Sequence, residues 1–231
     1  MVKEHKHGIF EMPEKETRLW KYMSLEKFLL LIMQKSLYFC RIDLFDDKNE
    51  GLTSTIDKGF FDTVGFCESD WDNIRKGTFI NCWIESPHEL ALMWENYGQG
   101  GVAIQTTMER ISKSMENDKV RHIYMGRVRY LMSETESTQI AGKPLNWMMV
   151  SMTKRKYYAQ EQEVRLLYHN EDTDKGKPGV PIDVELDVLV EKVVINPKAK
   201  PTFIEIVKRA LNSSNLDLPI KNSEIQINTK P

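Results

Sequence analysis

Glu161 and Glu163 stand two residues apart at the head of the run Val164-Arg165-Leu166-Leu167-Tyr168. Residues i and i+2 of an extended chain share a face, so the two carboxylates can point the same way while Glu161 still lies in the preceding loop. Such a pair suits orienting a ribose and stabilising a cationic transition state. The same spacing also describes a solvated strand edge with Arg165 as an ion-pair partner, a common and weakly informative arrangement. The loop Phe45-Asp46-Asp47-Lys48-Asn49-Glu50-Gly51 holds three more carboxylates. Its spacing is not that of a calcium loop, which needs alternating ligands, a central glycine and a distal Glu. It reads as an acidic turn, or as a loop that folds over a ligand.

Other residues have a chemical and a plain reading side by side. Lys21, just before Ser24, can hold a phosphate or lie along the surface with its ammonium in water. Trp94 and Tyr97, at i and i+3, can form an aromatic wall for a nucleobase or pack into a core. Lys154-Arg155-Lys156-Tyr157-Tyr158 reads as a helix end, where cations suit the dipole, and only weakly as a phosphate contact. The glycines after Tyr97 (98, 100 and 101) are not G-x-G-x-x-G and no strand leads into them, so a dinucleotide fingerprint fails on context. There is no G-x-S-x-G elbow and no H-E-x-x-H pair among the five histidines. The three cysteines are far apart and form no C-x-x-C, which argues against a disulfide framework or a zinc ribbon.

The elements that must carry these residues follow from periodicity. A first strand spans 18–22, and Ser24 caps a helix whose apolar residues are Leu25, Phe28, Leu29, Ile32 and Met33. Short strands are expected at 37–40 and 78–84. Ser86-Pro87-His88-Glu89 has the form of a capping box with Pro at the first helical position, opening a helix to about Tyr97. Thr106-x-x-Glu109 opens another. A long strand over 120–132 with a bulge at Gly126, a Met-rich helix over 145–158, and strands at 163–168, 180–184 and 192–195 follow. A helix over 201–211 and a short strand near 224–227 close the chain. Strands and helices without strict alternation make the class α+β.

At 231 residues, with 41% hydrophobic and 29% charged residues, the composition is that of one ordinary globular domain, 1–231, with 1–16 expected as a loosely attached arm. The net charge of -2 excludes binding of nucleic acid by bulk charge. Acids gather at 43–50 and 161–163 and bases at 154–156, so a locally polarised cleft remains compatible with that balance. The longest unbroken apolar run, Phe28 to Met33, is far short of the roughly 20 residues that span a bilayer, and the N-terminus lacks a signal-peptide apolar core. A cytoplasmic protein with no membrane partner is expected.

Four segments, in order, resemble one bacterial family. These are Leu19-Trp20-Lys21-Tyr22-Met23-Ser24; Leu37-Tyr38-Phe39 with Phe45-Asp46-Asp47-Lys48-Asn49-Glu50; Leu92-Met93-Trp94-Glu95-Asn96-Tyr97 with Gly101-Val102-Ala103-Ile104; and Lys156-Tyr157 through Glu161-Gln162-Glu163-Val164-Arg165. The family is the domain of unknown function 2971, and the resemblance runs from about residue 18 to 228. Asp46 and Lys48 depart from its usual Asn and Pro. Its layout is similar to that of the ADP-ribosyltransferase superfamily.

That resemblance implies mixed, mostly antiparallel sheets in a split β-sandwich with flanking helices. It implies NAD as co-substrate, no metal, and a protein or nucleic-acid acceptor, in a toxin or phage-defence effector. Glu163 would stabilise the ribosyl cation and Glu161 would position or deprotonate the acceptor. Lys21 and Tyr22 would meet the NAD phosphates or ribose. A second strand would contribute near Asn81 to Ser86, with Ser86 the candidate, and Trp94 or Tyr97 would stack on a base. The alternative is a non-catalytic nucleotide- or protein-binding module in which Glu161 and Arg165 are scaffold ion pairs. A metal-dependent nuclease has only the acidic loop in its favour. The acceptor and the oligomeric state are not legible.

Overall fold

The computed structural model describes residues 2–3, 8–47, 50–51, 54–118, 121–133, 135–139, 146–170, 172 and 174–225. The chain packs as two compact units, and each is built from separated stretches of sequence. The class is α+β with a mixed, mostly antiparallel sheet.

The first unit comprises residues 1–13, 38–82 and 119–182. Its central strand is Glu163–His169, antiparallel to Ile123–Arg127, which in turn lies parallel to Val2–Lys3. On its other side Glu163–His169 neighbours Thr78–Glu85, which also pairs antiparallel with Ser36–Arg41 at Cys40 and Ile80. A small parallel ladder joins Arg129–Leu131 to Thr153–Arg155. Helices Thr55–Thr63 and Glu68–Gly77 occupy the stretch that has little pattern in the sequence. One apolar cluster gathers Ile9, Phe10, Ile42, Ile80, Met148, Met149, Met152 and Leu167, and a second gathers Phe61, Trp71, Ile74 and Val150. Ile9 and Phe10 thus sit in a core although they belong to the stretch expected as an arm.

The second unit comprises 14–37, 83–118 and 183–231. Strand Arg18–Ser24 pairs antiparallel along its whole length with Gly101–Thr107 and, at Leu19 and Trp20, with Glu85 and Ile84. Gly101–Thr107 pairs antiparallel with Lys192–Ile195, which runs parallel to Ile220–Asn222. Helices Leu25–Gln34, Met108–Ser114 and Pro201–Ser213 belong to this unit. Ser24 caps the first of them as expected, its hydroxyl accepting from the Lys27 N–H.

Several elements differ from their sequence expectation. The helix read from Ser86 begins only at Ala91 and runs to Asn96. The Ser86 hydroxyl closes a local turn, accepting from the His88 N–H and donating to the His88 carbonyl. The Glu89 carboxylate, which the capping box would send back to the cap, instead accepts from Trp94 Nε1 and from the Glu224 N–H. The second capping signal shifts by one: Thr107 is the cap, and Thr106 donates to the Leu189 carbonyl. The Met-rich helix shrinks to Trp147–Val150, followed by strand Thr153–Arg155 and a 3-10 turn, Lys156–Glu161. The 120–132 strand breaks at Val128, whose N–H goes to the Glu163 carbonyl. Gly126 leaves room for Phe10, whose Cβ would lie 2.7 Å from an added methyl. The final strand is Ile220–Asn222 instead of 224–227, and residues 226 and 227 lie outside the described residues.

Gly101 allows the second unit's central pairing. A methyl on it would overlap the Met23 carbonyl oxygen, a backbone atom that cannot swing away. Gly59, inside helix Thr55–Thr63, meets nothing within 4 Å. Urea denaturation should therefore give opposite signs. Gly101→Ala should destabilise by about 1–3 kcal/mol, and Gly59→Ala should stabilise by up to roughly 1 kcal/mol.

Candidate functional site

The first unit brings the two carboxylates of the E-x-E segment onto one cation. Glu161 ends the 3-10 turn, Gln162 takes a left-handed conformation (φ 44°), and Glu163 opens the central strand. The reversal at Gln162 lets Glu161 and Glu163 face the same point from a turn and a strand. That point is the Lys154 ammonium, 2.7 Å from Glu161 Oε2 and 3.4 Å from Glu163 Oε2. Lys154 also lies 3.3 Å from Glu50 Oε1 and 4.6 Å from the centre of the Tyr158 ring.

Arg165 holds the other side of Glu163. It shares a strand face with Glu163 because the two are i and i+2. Its Nε donates to Glu163 Oε1 at 2.9 Å, and its Nη2 donates to Glu163 Oε2 at 3.1 Å and to Glu50 Oε2 at 2.8 Å. Its Nη1 donates to the Ser151 carbonyl at 2.7 Å. The guanidinium is wholly buried. The Glu163 backbone is fixed as well: its N–H donates to Tyr130 Oη, and its carbonyl accepts from Val128. At the margin, Asp47 takes a two-pronged contact from Arg155 Nη2.

Burial would push the Glu163 carboxyl up, but Arg165, by charge and by hydrogen bond, and then Lys154 outweigh it and bring it down to about 2. For Lys154, burial pulls the ammonium down, and Glu163, Glu161 and Glu50 more than reverse it, so it is raised. Burial also drives the Tyr130 phenol up, beyond what the Glu163 N–H removes. Glu163 is thus an anion and Lys154 a cation across the physiological range. The arrangement can hold positive charge between fixed carboxylates. It leaves Glu163 little exposed, with both oxygens bonded to Arg165, while Glu161 is the more accessible of the two.

The remaining sequence candidates lie in the second unit. Tyr22 and Trp94 meet edge to face at 5.0 Å, in a cluster with Trp20, Ile84, Met93, Ala103 and Val194. Tyr22 Oη accepts from the Leu90 N–H, and burial, less that bond, pushes its phenol up to about 12. Ser86 is buried in its turn, and its carbonyl accepts from Trp20 Nε1. Lys21, on the opposite strand face from Trp20 and Tyr22, places its ammonium 5.4 Å from the Trp83 ring centre. Tyr97 is exposed at the helix end. A cavity of about 770 Å³ opens beside Trp94, with Phe203 and Asn196 in its wall and Lys198 and Lys200 around it.

Sequence reasoning did not single out Glu50, Lys154 or Tyr130 as parts of this cluster. The acidic loop was the available signal for Glu50. Asp43 pairs with Arg41, Asp47 with Arg155 and Glu50 with Arg165, so these three acids are taken up by basic side chains. Lys48 and Asn49 lie outside the described residues. Among the described residues no His/Cys/Asp/Glu group is placed to hold a metal ion, and no helix is long and apolar enough to cross a membrane.

The depressed Glu163 carboxyl makes stability depend on pH in one direction. Its contribution is present above the ordinary carboxylate range near pH 4.5 and is lost as the pH falls toward 2. A shift of that size corresponds to roughly 3 kcal/mol. Arg165→Met should cost about 3–5 kcal/mol at pH 7 by leaving buried carboxylates without their partner, and should move the acid loss to higher pH. Urea denaturation over a pH series reads both, and an unchanged acid limb in Arg165→Met would count against the assignment.

Thermus sp. 2.9 DarT in complex with carba-NAD+ aligns with a TM-score of 0.41 at 10% identity, over 92% of this chain and 97% of that one. The same protein with NAD+ gives 0.41 at 8%, over 92% and 98%, and with ADP-ribosylated ssDNA gives 0.40 at 6%, over 93% and 96%. No curated protein matches the sequence. Residues 93–166, which include helix Ala91–Asn96 from Met93 onward and the strand start through Leu166, match the family model described as protein of unknown function, DUF2971.

Proposed function

We propose that the chain is an NAD-consuming, ADP-ribosyltransferase-like enzyme. The observation that carries this reading is the convergence of Glu161 and Glu163 on one positive charge at 2.7 and 3.4 Å. Breaking the nicotinamide–ribose bond sends the bonding electrons to the nicotinamide nitrogen and leaves an oxocarbenium-like ribose. A carboxylate already ionised and already fixed, as Glu163 is, stabilises that charge without reorganising as it forms. Glu163, held by Arg165, supplies the fixed negative charge. Glu161, the more accessible, orients the acceptor and takes its proton as general base. Lys21 keeps its proposed role toward a phosphate, to be read from NAD KM in Lys21→Met. The acceptor is a macromolecule, protein or nucleic acid.

The second reading, a non-catalytic nucleotide- or protein-binding module, is favoured by one observation: Glu163 is buried with both oxygens bonded to Arg165. Thermal shift with NAD, followed by assay of free nicotinamide, separates the two. Stabilisation with release supports the enzyme, and stabilisation without release supports the module.

The same geometry decides which variant tests the chemistry. Glu163→Gln turns an amide N–H toward a guanidinium that already donates to both oxygens, so it loses stability along with charge. Glu161→Gln disturbs less. Nicotinamide release should fall about 100-fold or more in Glu161→Gln with the thermal midpoint close to that of the parent, and should be undetectable in Glu163→Gln. Full turnover by Glu161→Gln would sink the role given to it.

A further inference from the structure

The basic run at 154–156 does not face outward as a phosphate contact would. Arg155 turns to Asp47, and Lys154 turns inward until its side chain is only 10% exposed. Its ammonium contacts three carboxylates contributed by three separate segments: Glu50 from the acidic loop, Glu161 from the 3-10 turn and Glu163 from the central strand. We propose that Lys154 is a positioning residue for the carboxylate pair. Its charge holds Glu161 beside Glu163. The inference rests on the enzyme reading for its functional meaning, but its physical content does not.

Arg165 bonds to Glu163 and Glu50. Lys154 contacts both members of the pair. A neutral side chain in its place leaves Glu161 and Glu163 facing each other across a poorly solvated gap. Like charges so placed favour protonation of one of them. A protonated Glu161 can no longer take a proton from an acceptor. The groups that face Lys154 are Glu50, Glu161, Glu163, Tyr158 and, through space, Tyr130; those that face Glu163 add Arg165 and Cys82. Burial pushes the Tyr130 phenol up, so the acid limb of any pH profile here belongs to the carboxylates.

Lys154→Met and Lys154→Arg of the full chain test this. In nicotinamide release from NAD, Lys154→Met should lower kcat about tenfold or more at neutral pH while changing KM for NAD little. Its acid limb should move up by about one pH unit or more. Lys154→Arg should return the limb toward its original position. An unmoved limb in Lys154→Met, or a limb in Lys154→Arg as displaced as in Lys154→Met, overturns the proposal. A merely structural lysine would lower stability at all pH values without moving the limb. If the parent protein releases no nicotinamide at any pH, the enzyme reading fails, and the acid-unfolding midpoint then decides the clamp. It should rise in Lys154→Met and stay near the parent value in Lys154→Arg, and an unchanged midpoint in Lys154→Met overturns it.

Discussion

Arg165 is a guanidinium with no exposure to water, and each of its nitrogens has found an acceptor. A buried charge of this kind is tolerated only with close partners and satisfied hydrogen bonds. Three segments of the first unit are therefore drawn to one place: the acidic loop through Glu50, the strand start through Glu163, and the turn after Trp147–Val150 through the Ser151 carbonyl. Once Arg165 fixes Glu163 and Glu50, Lys154 has a site between them, and Glu161 closes over it. The order of dependence runs from the buried guanidinium outward.

This cluster is an uneconomical way to make a stable core, since apolar residues of similar volume often do as well or better. What it provides instead is charge held in place. A carboxylate kept near pKa 2 by an adjacent guanidinium stays negative and does not swing. That is the requirement for stabilising a cation that forms only transiently. The second unit is built differently. Its Trp20–Tyr22–Trp94 cluster is apolar, with the polar atoms of the rings tied to Ser86, Leu90 and Glu89.

Much of the secondary structure was legible where one local signal had no competitor. The Ser24 cap, the alternating strands and the amphipathic helix Pro201–Ser213 came out close to their expected bounds. The errors fell where a local signal met a tertiary demand. Ser86 closes a turn because Glu89 is claimed by Trp94 and Glu224. The Met-rich segment gives up its helix because Thr153–Arg155 pairs with Arg129–Leu131, which sets Lys154 against its three carboxylates.

By itself the sequence determined that Glu161 and Glu163 stand at the start of a strand with Arg165 two residues on, because i, i+2 spacing imposes a shared face on any extended chain. It also determined the class, through the mixture of strand and helix periods. Only the tertiary structure decided which charges meet. Glu50 lies more than a hundred residues from Arg165 and Glu163, and its acidic loop carries no spacing rule that names a partner. Charge attraction acts through space and in proportion to burial, and neither distance nor burial is written in the order of residues.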